Sequence, residues 1–193
     1  MNRVILSAST DETILAVTRQ HKLVDLEIEQ QINTEIVGCI YKGVVKNIVP
    51  AVDGIFVDIG IGKNAFLRRK DLLNEKRFPT EGSPILAQVI KSDTDMKGAL
   101  ITEKISMFGK YAVTLSGTGY IGVSKKIRQE SVRKRLKEIG KEICAEHMGL
   151  IIRTAAENAD MDEFRKDITR LKENWDIIQK RFRMEKSPTL LYR

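Results

Sequence analysis

"DGIFVDIGIGKNAFL", Asp53 to Leu67, decides how this chain is built. Successive side chains of a strand point to opposite faces. Ile55, Val57 and Ile59 therefore form one apolar row, and Phe56 and Asp58 form the other. Beyond the Gly60–Lys63 turn, Ala65 and Leu67 extend the apolar row and Phe66 falls on the side of Phe56. On either side, "EIVGCIYKGVVKNIV", "SPILAQVIKSD" and "KGALITEKI" supply further β-rich pieces, with more turns at Pro50–Gly54 and Asp93–Gly98. About five short strands within roughly 70 residues point to a small closed β-barrel of the OB type.

The flanks read differently. "RVILSAS", "ETILAVTRQ" and "KLVDLEIEQ" alternate apolar and polar residues between polar breaks, which predicts a three-strand meander ahead of the barrel. After Ile105 the pattern is mixed: "YAVTL", "YIGVS" and "GLIIRT" read as strands. Two helices are predicted around the last of them, with stripes Val132, Leu136, Ile139, Ile143 and Phe164, Ile168, Leu171, Trp175, Ile178, Phe182. Gln129 or Ser131 begins the first helix, and Asp160 followed by Glu163 offers an N-terminal cap for the second. Residues 190–192 start another strand. The predicted class is α+β: a meander over 1–35, the inserted barrel over 36–104, a mixed α/β region over 105–185, and the start of a further subdomain at 186–193.

The net charge of +7 favours polyanionic partners. The surplus is uneven: residues 1–35 carry 3 basic and 6 acidic side chains, whereas residues 104–193 carry 20 and 12, so the basic face belongs to the C-terminal half. Cys39 and Cys144 stand far apart, which excludes a disulfide framework and a C-x-x-C zinc site and suits a reducing compartment. The sequence has no signal-peptide pattern and no membrane-length apolar run, so a cytoplasmic protein without a membrane partner is expected.

Two phenylalanines on the outside of a small barrel need an explanation. Phe56 and Phe66 either stack the bases of single-stranded nucleic acid, with Lys42, Lys46, Lys63 and Lys97 tracking phosphates beside them, or pack under a neighbouring domain. At the end of "GLIIRTAAENAD", the Arg153 fork suits a phosphate and the Thr154 hydroxyl can add a donor. The alternative is a structural salt bridge at a strand end. Asn158 is a candidate for positive φ. His21 and His147 lack partners at metal-ligand spacing, Asp93 and Asp95 suit a turn, and "IGIGKN" lacks the strand-loop-helix context of a phosphate loop. No catalytic residue, metal site or cofactor is legible.

Several stretches together resemble the RNase E/G endoribonucleases of bacteria: "LVDLEIE", "GCIYKGVVKNIVPAVDGIFVDIGIGKNAFL", "KGALIT", "ISMFGKYAVTL", "IGVSKKI", "GLIIRTAA" and "LKENWDII", in family order. The resemblance implies the opening of an RNase H-like subdomain, an inserted S1-type RNA-binding barrel and a 5′-sensor region for 5′-monophosphorylated single-stranded RNA. It implies that Arg153 and Thr154 are the main phosphate ligands, with Gly109 and Val113 walling the pocket and Lys125 at a basic position of an "SRRI"-like motif. Phe56, Phe66 and Lys97 match family residues that hold the RNA strand.

Departures are the lysine at 125, which keeps charge but loses a fork, and Asn158 where many members carry glycine. The family's aspartates and their magnesium ion lie downstream in a DNase I-like subdomain, and the zinc-link cysteines that join protomers are absent here. The expectation is a chain that binds RNA in RNA processing and decay but does not cut it alone, with any oligomerisation running through downstream regions. Rival readings are a stand-alone, non-catalytic RNA-binding or regulatory protein derived from the family, and a module whose phenylalanines bury against a partner protein.

Overall fold

A computed structural model describes residues 2–8, 12–20, 22–30, 36–93, 97–144 and 148–193. His21, His147 and Asp95 lie outside the described residues. The chain divides into two compact units, Met1–Ile36 and Val37–Arg193.

The first unit is the meander. Strands β1 (Asn2–Ala8), β2 (Glu12–Arg19) and β3 (Lys22–Gln30) pair antiparallel in sequence order. The alternation that predicted them leaves Val4, Leu6, Leu23 and Val24 exposed.

The second unit opens with the OB-type barrel. Strands β4 (Ile40–Val49), β5 (Gly54–Asp58), β6 (Ala65–Arg68), β7 (Pro84–Lys91) and β8 (Leu100–Thr102) form it. The ladder runs β4-β5-β6-β8-β7 and closes through a β4–β7 pairing. β4 can serve both neighbours because its first half pairs with β7 and its second half with β5, across a register shift between Val45 and Asn47. Such a shift bends a strand enough to turn a barrel corner. Ile55, Val57, Ile59, Ala65 and Leu67 all point inward and are buried, as the alternation requires, and Phe56 and Phe66 stay half-buried outside.

The remaining residues build a second sheet with two helices. Strands β9 (Ser106–Phe108), β10 (Ala112–Ser116), β11 (Ile121–Val123) and β12 (Met148–Ile152) lie in the order β11-β12-β10-β9, with β11 parallel to β12. Helix α1 (Glu130–Ile143) precedes β12 and helix α2 (Met161–Met184) follows it. Leu150 and Ile152 face a core shared with Leu136 and Ile139 of α1 and with Phe164, Ile168, Leu171 and Ile178 of α2. Both predicted stripes are therefore packing stripes. Asp160 caps α2, accepting from the amides of Asp162 (2.9 Å) and Glu163 (3.1 Å).

The final strand, β13 (Thr189–Tyr192), pairs antiparallel with β4 on the side that β5 occupies further along. The Arg181 guanidinium binds the carbonyls of Leu190 (3.0 Å) and Leu191, which ties β13 to the end of α2. Among the described residues no helix is long and apolar enough to cross a membrane.

Candidate nucleic-acid interface

On the outer barrel face, Phe56 and Phe66 are register partners on β5 and β6, with ring centroids 5.4 Å apart and planes tilted by 49°. The Phe66 ring packs against Gly54, where any Cβ would collide with it, and the residue stays half-buried. Lys63 precedes β6 and Lys97 precedes β8, and both are exposed. The amide of Phe66 donates to the Ala99 carbonyl at 2.7 Å, so Lys97 sits two residues along the chain from the carbonyl that Phe66 binds. Lys46 is paired with Asp58 at 3.3 Å.

The second site grows from the end of β12. Val113 of β10 is in register with Phe108 on one side and Ile151 on the other, so the face that carries Ile151 leads along the chain to Arg153. The backbone amide of Arg153 donates to the Tyr111 carbonyl at 2.8 Å, and its Nη1 donates to the Gly109 carbonyl at 2.8 Å. Arg153 makes no ion pair with the described residues. The structural salt bridge weighed for it is thus absent among them. One nitrogen braces the guanidinium on a backbone carbonyl, and the side chain stays exposed.

Thr154 follows, with its Oγ1 3.0 Å from the Ser124 hydroxyl, and Lys125 is the next residue after Ser124. The Ser124 amide donates to the Ile152 carbonyl at 2.8 Å. Gly109, Arg153, Thr154 and Ser124 thus form one hydrogen-bonded rim, with Lys125 next to Ser124 along the chain and Val113 on β10 in register with Ile151.

Helix α2 grips the turn that carries Gly109. The Asp167 carboxylate, almost wholly buried, accepts from the amides of Tyr111 (2.8 Å) and Lys110 (3.2 Å) and from Arg170 Nη2 (3.1 Å). Gly109 lies so close that a Cβ there would overlap the Asp167 carboxylate. One turn earlier, Glu163 accepts from the Tyr111 hydroxyl at 2.6 Å and from Lys110 Nζ at 3.1 Å. The Tyr111 bond and then Lys110 hold the Glu163 carboxyl below the usual carboxylate range. The turn at 109–111 is therefore gripped from α2 while it presents the Gly109 carbonyl to Arg153.

Residues 106–193 match the Ribonuclease E/G family, and residues 34–102 match the S1 RNA binding domain. Ribonuclease G of Escherichia coli strain K12 is 33% identical over 206 residues, which cover 98% of this chain and 42% of that protein. The chain is a ribonuclease E/G-family region that contains an S1 domain. Ribonuclease G of Haemophilus influenzae is 34% identical over 92% of this chain and 40% of its own length. Ribonuclease E of Synechocystis is 33% identical over 86% of this chain and 26% of its own. This ribonuclease E/G-family chain thus spans about two-fifths of the length of the curated ribonuclease G relatives it matches. Its barrel is an S1-type RNA-binding domain.

Two expected features of this family region are differently placed. Lys42 does not line the barrel surface. It is buried, with its ammonium donating to the carbonyls of Phe182 (2.6 Å) and Glu185 (2.7 Å) at the C-terminal end of α2 and lying 5.0 Å from the centre of the Phe182 ring. A cation there satisfies carbonyls that the helix leaves without donors and complements the helix dipole. Lys42→Met is expected to lower stability by about 2 kcal/mol, read as a lower urea midpoint. An unchanged midpoint would contradict this capping role.

The left-handed conformation expected at Asn158 is also not found. Among the described residues the non-glycine positions with positive φ are Gln20 and Asp53, and Glu157 just before Asn158 is right-handed helical at φ −56°. The chain leaves the short 3-10 turn Thr154–Ala156 with helical geometry, so the position does not require glycine.

Sequence reasoning missed Asp167 and Ser124. A signal for the first exists: Asp167 stands inside the apolar rhythm of α2, between Phe164 and Ile168, where a charge must be paired if it is buried. Among the described residues no group of three or more His, Cys, Asp or Glu could hold a metal ion.

Proposed function

We infer that this chain binds single-stranded RNA through its S1 barrel and selects RNA that carries a 5′-monophosphate, serving as the RNA-binding part of a ribonuclease E/G-type endoribonuclease in RNA processing and decay. In this reading residues 36–104 track the strand with Phe56, Phe66, Lys63 and Lys97, and residues 105–185 read its end with Arg153, Thr154, Lys125, Gly109 and Val113. The observation that carries the reading is the brace on Arg153. Its Nη1 bond to the Gly109 carbonyl fixes the guanidinium plane, and the Thr154 hydroxyl follows one residue on.

A terminal phosphate monoester offers more charge and more unshared oxygens than an internal phosphodiester, which suits a planar fork with a hydroxyl donor beside it. Lys125 adds a point charge to the same rim. The chain spans about two-fifths of the ribonuclease G relatives, and in this reading cleavage is an activity of the whole family protein.

The test compares one short RNA bearing a 5′-monophosphate with the same RNA bearing a 5′-hydroxyl. Wild type is expected to favour the phosphorylated end by about tenfold or more, the worth of one or two hydrogen bonds to a charged group. Arg153→Ala is expected to erase that preference and leave affinity for the hydroxyl RNA near its starting value. Equal affinities for both ends in wild type would overturn the assignment.

A further inference from the structure

Beside the Arg153 rim runs a groove that shares only Lys125 with the end-binding reading. It has a volume of about 270 Å³ and lies along the outer edge of β11, the edge strand of its sheet, with α1 as its other bank. Tyr120 stands at its mouth, 65% exposed, with its ring across Gly122. Lys134 and Lys137 rise from the α1 bank one turn apart, which puts them on one face of the helix. Lys125 closes the near end. These three lysines are exposed and form no ion pair with the described residues.

Arg133, by contrast, belongs to the frame. Its Nη1 donates to the carbonyls of Ser124 (2.8 Å) and Ile127 (2.9 Å), and its Nε lies 3.6 Å from Glu130. The bank is thereby fixed to the segment that carries Lys125.

We propose that the β11–α1 groove is a second RNA track, which takes the nucleotides next to the 5′ end, with Lys134 and Lys137 on phosphates and Tyr120 stacked on a base. Unpaired lysines beside an exposed aromatic ring form the combination that holds single-stranded nucleic acid without reading its sequence. Continuity gives the direction: Ser124 touches Thr154 and Lys125 follows it, so a strand whose end meets Thr154 enters the groove at Lys125. That direction rests on the end-binding reading, whereas the groove's affinity for RNA does not. An acidic peptide adding to the β11 edge as a strand would use the same lysines. The exposed ring, which strand addition does not require, favours RNA.

The experiment measures anisotropy of short 5′-monophosphate and 5′-hydroxyl RNAs over a salt series. Lys134→Gln with Lys137→Gln is expected to weaken both RNAs by about tenfold at low salt and to lower the slope of log affinity against log salt by about 0.7 per lysine. Tyr120→Ala is expected to weaken both by about fivefold or more. Neither change alters the ratio between the two ends, whereas Arg153→Ala alters the ratio and keeps the groove's share of the salt slope. Lys134→Arg with Lys137→Arg retains the charge and should retain affinity, which separates loss of contact from loss of fold.

An unchanged affinity and salt slope in the double glutamine variant would overturn the proposal. So would an acidic peptide whose binding is lost in that variant while RNA binding persists. If wild type shows no end preference, the end-binding reading fails, and the lysine and tyrosine variants still decide the groove.

Discussion

Asp167→Ala is expected to cost about 3–4 kcal/mol of stability and, at temperatures where the chain remains folded, to remove the preference for 5′-monophosphorylated RNA. The carboxylate is buried and accepts from two consecutive backbone amides, at Lys110 and Tyr111, and from Arg170. Alanine leaves both amides without that acceptor, and an unmet buried donor costs more than a typical bond contributes. The functional loss has a separate cause. The 109–111 turn presents the Gly109 carbonyl that braces Arg153, and the Tyr111 carbonyl takes the Arg153 amide. Once α2 releases the turn, the guanidinium loses its fixed plane and the entropy of ordering it must come from binding.

Asp167→Asn retains one oxygen acceptor and should fall between the two. Urea denaturation reads the first effect and paired binding to the two RNA ends reads the second. A variant that is destabilised yet still discriminates the ends would show that the turn does not position Arg153.

Replacing Phe56 and Phe66 together with alanine is expected to weaken RNA binding by about 1–3 kcal/mol for each base that loses its ring, equally for phosphorylated and unphosphorylated ends. The ring centres lie 5.4 Å apart, close enough to couple, so the single substitutions should not sum to the double. Both side chains are only half-buried outside a barrel core built from Ile55, Val57 and Leu67, so the fold should survive, and circular dichroism checks that it does. Undiminished affinity in the double variant would mean that the rings serve a protein contact instead. Steep salt dependence of the wild type against the flat response of apolar docking gives an independent reading.

Much of this was legible along the chain. In the strand residues of the stretch Asp53–Leu67 the period of two assigned each side chain to a face, because a strand leaves no other choice and a small barrel must fill its inside with apolar residues. The two helix stripes were equally plain, since a repeat of three and four residues buries one face and exposes the rest. The resemblance carried by "GLIIRTAA" and its companions implied for Arg153 and Thr154 the phosphate ligand proposed above, which periodicity could not name.

Other features were hidden for a reason of distance. Lys42 read as a surface charge because its neighbours on β4 are ordinary strand residues, and the carbonyls it caps are 140 and 143 positions away. β9 went unread as a strand of its own, since three residues carry too little pattern until Val113 and Leu115 are seen opposite Phe108 and Ser106. Ser124 gave no signal before its hydroxyl was found 3.0 Å from that of Thr154, 30 positions on.

The local alternation and the helical rhythm therefore determined which elements form and which faces they bury, because those preferences are settled between residues a few positions apart. Only the tertiary structure decided which charges are spent inside the fold and which remain for a ligand. Lys42 and Asp167 are consumed by backbone groups that packing brings to them, while Arg153 is braced through one nitrogen and stays exposed. Whether a charged side chain is desolvated and paired depends on groups that arrive from distant parts of the chain, and no nearby residue records their arrival.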